Sequence, residues 1–230
     1  MRRMLCVVSA LMMLSFASFA GAQFGKGGGP SFRTDFNPVV GAWSEYQIKT
    51  GNEPPGKMKI AIVGKEGDAY WFESVMERQR EGKMISKMLV SGNPEDQKNV
   101  KRMIVKMGNE APMEMPVQMM GGRPGPGQEA GKGKVVEVGT ETIKVPAGSF
   151  TTRHMQYQDS RGTADTWVAK DVYPYGAVKS QSADFEMVLT GYGTGATTLI
   201  TETPKKFEMP QMPQMPKGFP KGALPGKEGE

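Results

Sequence analysis

The side chains in this sequence whose type and spacing could do chemistry are methionines. There are nineteen in 230 residues; Met1, Met4, Met12 and Met13 fall within the first 22. Of the rest, Met113, Met115, Met119 and Met120 cluster in "APMEMPVQMM", and Met209, Met212 and Met215 recur in "EMPQMPQMPKG", each followed by proline. Thioethers are soft ligands that select Cu(I) over hard ions, and Met-x-Met and Met-x-x-Met spacings can chelate. Proline after each tail methionine favours an extended, polyproline-like run with three residues per turn, which stacks the three sulfurs along one edge. These seven residues make Cu(I) binding one alternative reading of the chain, and a scaffold that meets a protein partner through flexible ends is another. An exposed, extended tail rich in methionine is the plainer one, because no histidine or cysteine stands beside them.

Other chemistry is scarce. Cys6 is the single cysteine and His154 the single histidine. Cys6 lies in the leader described below, so the mature chain has no disulfide and no thiolate metal site. One histidine rules out a two-histidine metal site within the chain and leaves little room for a Ser-His-Asp arrangement. His154 falls between Arg153 and Met155 on an expected strand, where a structural hydrogen bond is its expected role. Asp159, Asp165 and Asp171 are six apart, at turns and strand ends, with nothing pairing them for acid–base work. "GKGGGP" and "GYGTGATT" look like phosphate loops, but neither leads into a helix. No catalytic constellation and no cofactor is expected.

Arg2 and Arg3 followed by the uncharged "MLCVVSALMMLSFASFA" and by Ala20-Gly21-Ala22 form a secretory leader, with cleavage expected after Ala22. The chain is therefore expected in the periplasm or outside the cell, and not as an integral membrane protein after cleavage. The formal charge of +5 loses two arginines with the leader. The remaining lysines are scattered among acids without a block that would suggest nucleic acid.

The elements that must position any site read as strands. Residues 23–38 form a glycine-rich linker, 39–203 one β-rich domain, 108–133 a flexible Met/Gly/Pro-rich insert within it, and 204–230 a disordered tail. In "KMKIAIVG", Met58, Ile60 and Ile62 alternate with Lys57 and Lys59. "DAYWFESVME" places Tyr70, Phe72, Ser74 and Met76 on one face, and "DFEMVLTGYG" sets Phe185, Met187 and Leu189 against Asp184 and Glu186. Nine to eleven short strands of this kind predict a curled antiparallel sheet or incomplete barrel. One segment, "SGNPEDQKNVKRMIVKMG", predicts a helix over 94–107. Asn93 is its cap, Pro94 its first position, and Val100, Met103, Ile104 and Met107 its apolar stripe, with Gly108 as the stop. The fold class is thus mainly β with one helix in the concave face. That face would be lined by Met58, Ile60, Ile62, Tyr70, Phe72, Met84, Trp167, Phe185, Met187 and Leu189. It forms either an ordinary core or a cavity for an acyl chain.

The stretch "GTETIKVPAGSFTTRHMQYQDSRGTADTWVAKDVYPYGAVKSQS" combines a tight Val145-Pro146-Ala147-Gly148 turn, a strand with Trp167 and a bend at Tyr173-Pro174-Tyr175-Gly176. It resembles a group of exported bacterial domains of unknown function. The match rests on Val145 to Phe150, on Trp167-Val168, and on Pro174, Gly176, Val178 and Lys179. Those domains are similar to the periplasmic lipoprotein carriers (the Lol-type superfamily), with an incomplete antiparallel barrel closed by helix. The resemblance covers about 70 of the 230 residues and its motifs are turn and packing motifs. It implies a carrier or envelope factor whose partner is an acyl chain or a lipidated protein, and it assigns no ligand-contacting residue.

Overall fold

The computed structural model describes residues 34–80, 82–119, 133–159 and 162–207. They form one twelve-stranded sheet. The strands are β1 (Trp43–Thr50), β2 (Gly56–Glu66), β3 (Ala69–Arg78), β4 (Gly82–Val90), β5 (Val100–Met107), β6 (Met113–Met115), β7 (Lys134–Val145), β8 (Gly148–Asp159), β9 (Gly162–Val168), β10 (Ala177–Gln181), β11 (Phe185–Gly193) and β12 (Lys205–Lys206). Their order is β12-β6-β5-β4-β3-β2-β1-β11-β10-β9-β8-β7. The chain starts mid-sheet, runs out to β6, returns on the opposite edge at β7 and works back to β1. All pairings are antiparallel except the short β12/β6 ladder. The curl is visible where the β7–β8 turn reaches a strand three places away: Ala147 N–H donates to Leu189 O at 3.3 Å, and the rings of Phe150 and Tyr192 meet edge to face at 5.5 Å. Val145 pairs with Gly148 across the two-residue Pro146-Ala147 turn, so the expected hairpin is there.

The expected helix is not, and this corrects the fold class. Among the described residues there is no α-helix; the sequence 94–107 divides into a turn and a strand. The expected cap Asn93 bonds only the turn before it, and Asp96 caps a single 3₁₀ turn, Gln97–Asn99. Asn93 Oδ1 accepts from Glu95 N–H at 3.1 Å and Asp96 Oδ1 from Lys98 N–H at 3.3 Å. The remaining "VKRMIVKM" is β5, paired with β4 along its length. Three β-branched residues and an available ladder outweigh a short apolar stripe, since helical propensity is a weak prior against tertiary pairing. Gly108, expected as a helix stop, turns β5 towards β6 with φ +50°, a conformation that glycine adopts without steric cost.

The concavity is filled instead by the loop between β9 and β10, residues 169–176. Its Val172 and Tyr175 lie in the main core with Tyr46, Ile48, Ile60, Ile62, Phe72, Met187 and Leu189. Tyr175 meets Phe36 at 5.4 Å and Phe72 at 6.2 Å. Ser44 Oγ donates to Tyr173 O, Tyr46 Oη to Ala177 O at 3.1 Å and Tyr175 Oη to Asn93 Oδ1 at 3.3 Å. Gly176 closes the loop at φ +74°, and a Cβ there would stand 2.7 Å from Val168 Cγ1 and 2.9 Å from Ala169 O. No side chain fits that corner.

A second, smaller core lies on the opposite face of β3–β5, where Val75, Ile85 and Ile104 are covered by Ile200. Ile200 belongs to a strap, residues 194–202, that leaves β11 and crosses that convex face. Glu73, 3% exposed, ties it down: its carboxylate accepts from Leu199 N–H at 3.0 Å and from Thr198 Oγ1 at 2.6 Å. The strap then forms an ion pair between Glu202 and Lys106 and ends in β12. Two expected boundaries move as a result. Residues 204–207, read as the start of the tail, are tied to β6 through Lys205 N–H to Pro112 O (2.9 Å) and Phe207 N–H to Glu114 O (3.0 Å). The first part of the 108–133 insert forms β6 and a 3₁₀ turn, Val117–Met119.

Candidate functional site

Strand register fixes which side chains share the concave face. In antiparallel strands, residues directly opposite each other stand on the same face with Cβ atoms roughly 5 Å apart. Met58 of β2 faces Met76 of β3, Met76 faces Met84 of β4, and Met84 faces Met107 of β5. Two residues along runs a second row, Ile60, Ser74, Ser86, Val105 and Met113. The third row is Ile62, Phe72, Met88, Met103 and Met115. The half of the concave face made by β3–β6 is therefore a field of thioethers. Loop 169–176 lies over the rest of the face and reaches Phe72 of β3, and Met76 and Met88 pack against the same core. Met76, Met84, Met88, Met103 and Met115 are half-buried, while Met107 and Met113 are 43% and 40% exposed.

The ten residues expected to line an apolar face split four ways. Ile60, Ile62, Phe72, Met187 and Leu189 are buried in the core beneath loop 169–176. Met58, Tyr70 and Phe185 are half-buried at its margin, and Met84 stands in the open methionine rows. Trp167 is not on this face. It pairs with His154 and Lys179, while its neighbour Thr166 turns the other way to bond Ser180 Oγ at 3.0 Å.

On that outer face Trp167 belongs to a closed polar group. The imidazole of His154 stacks on its indole at 4.5 Å and 15°, and Lys179 Nζ lies over the indole at 5.3 Å. His154 Nε2 stands 2.8 Å from Asp165 Oδ1 and Nδ1 3.2 Å from Glu141 Oε1, while Trp167 Nε1 donates to Glu141 Oε1 at 2.6 Å. Both ring nitrogens are thus engaged, so the histidine is a structural cross-strand tie. Among the described residues no three His, Cys, Asp or Glu side chains gather as they would around a metal ion.

Charge lies on the convex side. Lys87 Nζ and the Arg102 guanidinium sit over Trp71 at 4.9 and 5.3 Å, and desolvation beside the protein surface lowers the Lys87 pKa from its usual value. Arg102 grips Glu114 through two bonds of 2.8 and 3.3 Å. That contact holds the Glu114 carboxyl below the usual carboxylate range and fastens β6 to β5. A cleft of about 260 Å³ opens between the strap and β2–β3, beside Trp43, Lys59 and Leu199, but the Glu73 carboxylate within it is held by the strap.

Of the expected metal ligands, Met113 and Met115 lie in the thioether field, and the backbone of Met119 ends the 3₁₀ turn after it. Met120, Met209, Met212 and Met215 lie outside the described residues. The sequence reading missed Met88, Met103 and Met107 as face residues. Met88 is marked by the same alternation that marks Met84; Met103 and Met107 were absorbed by the expected helix.

No family model matches the chain, and no curated protein matches it. Among solved structures it is similar to a Bacteroides fragilis protein described as exported, with a YmcC-like fold (14% identity, TM-score 0.33, 70% of this chain and 100% of that one). It is also similar to a protein of Parabacteroides distasonis described as a lipoprotein (14%, TM-score 0.35, 70% and 99%). MucB, solved in complex with MucA(peri), matches at 8% identity and TM-score 0.42, over 75% of this chain and 55% of MucB. At such scores none of these likenesses transfers a ligand or a partner.

Proposed function

We propose that this is a non-enzymatic, exported envelope protein that holds an acyl chain, free or carried by a lipidated partner, on the open half of its concave face. Export rests on the leader, residues 1–22, with its basic start, apolar run and small-residue end. Binding rests on one observation: seven methionines of β3–β6 share one face of the sheet, and Met107 and Met113 at its open side are exposed. Methionine's unbranched, polarizable side chain adapts to variable apolar partners, and an uncovered apolar area of this kind on a soluble protein marks an interaction surface.

The test is saturable binding of a dansylated undecanoic acid to the full mature chain, followed by fluorescence. Met84→Asp, which puts a charge in the middle of the field, is expected to weaken binding by about tenfold or more, which corresponds to about 1.4 kcal/mol. Val138→Asp, on an exposed position of the outer strand β7, is the control and is expected to bind as wild type does. Non-saturable binding, or equal loss in the two variants, overturns the reading.

A further inference from the structure

The acyl reading treats methionine as hydrocarbon, yet each of these side chains also carries a sulfur donor. Three of them lie in direct register across three neighbouring strands: Met88 of β4 opposite Met103 of β5, and Met103 opposite Met115 of β6. From this geometry we infer that Met88, Met103 and Met115 form a three-thioether site for a soft monovalent d¹⁰ ion, Cu(I) in an exported setting.

The spacing fits. Neighbouring strands are roughly 4.8 Å apart, so the outer two Cβ atoms of the row stand roughly 10 Å from one another. The central thioether projects from the sheet, and each outer side chain has three rotatable bonds with which to lean towards it. One ion above β5 is then within reach of all three sulfurs without backbone movement. The surroundings select the ion. Phe72, Val105 and Ser86 are the row's neighbours on this face, whereas Lys87, Arg102 and Glu114 project from the opposite one. Among the described residues of β3–β6, no carboxylate, imidazole or thiolate stands on this face, so the row offers Mg²⁺, Ca²⁺ and Zn²⁺ no ligand set, while thioethers hold Cu(I). All three methionines are half-buried, unlike Met107, which shields a bound ion from water. Residue 207 lies beside this site: Phe207 N–H bonds Glu114 O at 3.0 Å, next to Met115. The tail methionines are not ligands of this site and serve as its comparison.

The inference does not depend on the acyl reading, and leucine separates the two. Met→Leu keeps volume and apolarity but removes the donor. The full mature chain is titrated anaerobically with Cu(I) in competition with bicinchoninate, and with Ag(I) while the [¹³C]methyl signals of methionine are followed by NMR. The expected result is one tightly held ion, three methyl signals that move together, no uptake of Zn²⁺, and loss of that ion in M88L/M103L/M115L. The same variant is expected to keep its circular dichroism spectrum, which separates loss of the sulfur donors from loss of the fold. No Cu(I) uptake against bicinchoninate, or undiminished uptake by the leucine variant, overturns the inference. So does loss of the ion only on Met→Leu at Met209, Met212 and Met215, which places it in the tail. If the triple variant does not fold, the wild-type methyl pattern decides alone: fewer than three signals responding together overturns the site.

Discussion

Replacing Tyr175 by alanine tests whether loop 169–176 is a fixed part of the core or a cover that opens. The ring is 2% exposed and meets Phe36 and Phe72 at 5.4 and 6.2 Å. Removing a buried aromatic ring costs about 3–5 kcal/mol in lost burial and residual cavity. The lower end applies here, because the loop can settle into part of the space. For a domain of this size each kcal/mol lowers Tm by about 2–4 °C, so Tyr175→Ala is expected to lose about 10 °C. Tyr175→Phe keeps the ring and removes only the hydroxyl that reaches Asn93 Oδ1 at 3.3 Å. A single neutral hydrogen bond of that length is worth about 0.5–1 kcal/mol, or a few degrees. Thermal unfolding followed by circular dichroism gives both numbers. If Tyr175→Ala costs less than about 1 kcal/mol and the dansylated acid binds more tightly to it, the loop is a displaceable lid. The acyl site would then lie beneath it, on Ile60, Ile62, Phe72, Met187 and Leu189.

Glu73→Ala removes the acceptor of Leu199 N–H and Thr198 Oγ1 and is expected to cost about 2–3 kcal/mol; amide exchange should rise at 198–200 far more than in β1. Acid should loosen the outer edge first. The Glu114 pKa is lowered in the folded protein, chiefly by its hydrogen bonds to Arg102, so its contribution is present above the ordinary glutamate range, about 4.3. It is lost as the pH falls through the lowered folded value. Since both side chains are partly exposed, the amount is at most about 1 kcal/mol. It should appear as faster exchange at β6 amides in mild acid, with β1 and β2 unchanged; uniform loss across the sheet would refute this.

Strand identity was legible wherever one face meets the core and the other meets water. Met58/Ile60/Ile62 and Phe185/Met187/Leu189 alternate with charged residues, and the period of two follows from the pleat. The Val-Pro-Ala-Gly turn was legible for the same local reason. β5 was not, because Val100, Met103, Ile104 and Met107 fit a helical stripe when read alone. Their real grouping is set by partners: Met103 and Met107 face Met88 and Met84, while Ile104 faces the strap. Nothing local to residues 100–107 announces Ile200. Trp167 was placed on the wrong face because an aromatic residue on a strand is usually core, yet here the indole is covered by His154 and Lys179. The filling of the concavity was equally hidden. A loop with Pro174 and Gly176 reads as surface connection, and only the curl of the sheet brings Tyr175 over Phe72.

The two faces of β3–β5 choose different apolar residues, and the choice cannot come from strand formation. Under the strap stand Val75, Ile85 and Ile104. On the other side of the same strands stand Met76, Met84, Met88, Met103 and Met107. Strand propensity favours β-branched side chains on either face, and a strand that only needed to exist could use isoleucine throughout. A permanently covered face gains from rigid side chains that pack in one way. On the other face, Met76 and Met88 border the main core while Met107 is exposed, so methionine there meets a partly open environment. What it offers there is adaptable packing and a sulfur donor, the two properties that leucine and aspartate substitutions separate. The asymmetry is a property of the face, so both proposed kinds of binding are to be tested there and not on the strap side.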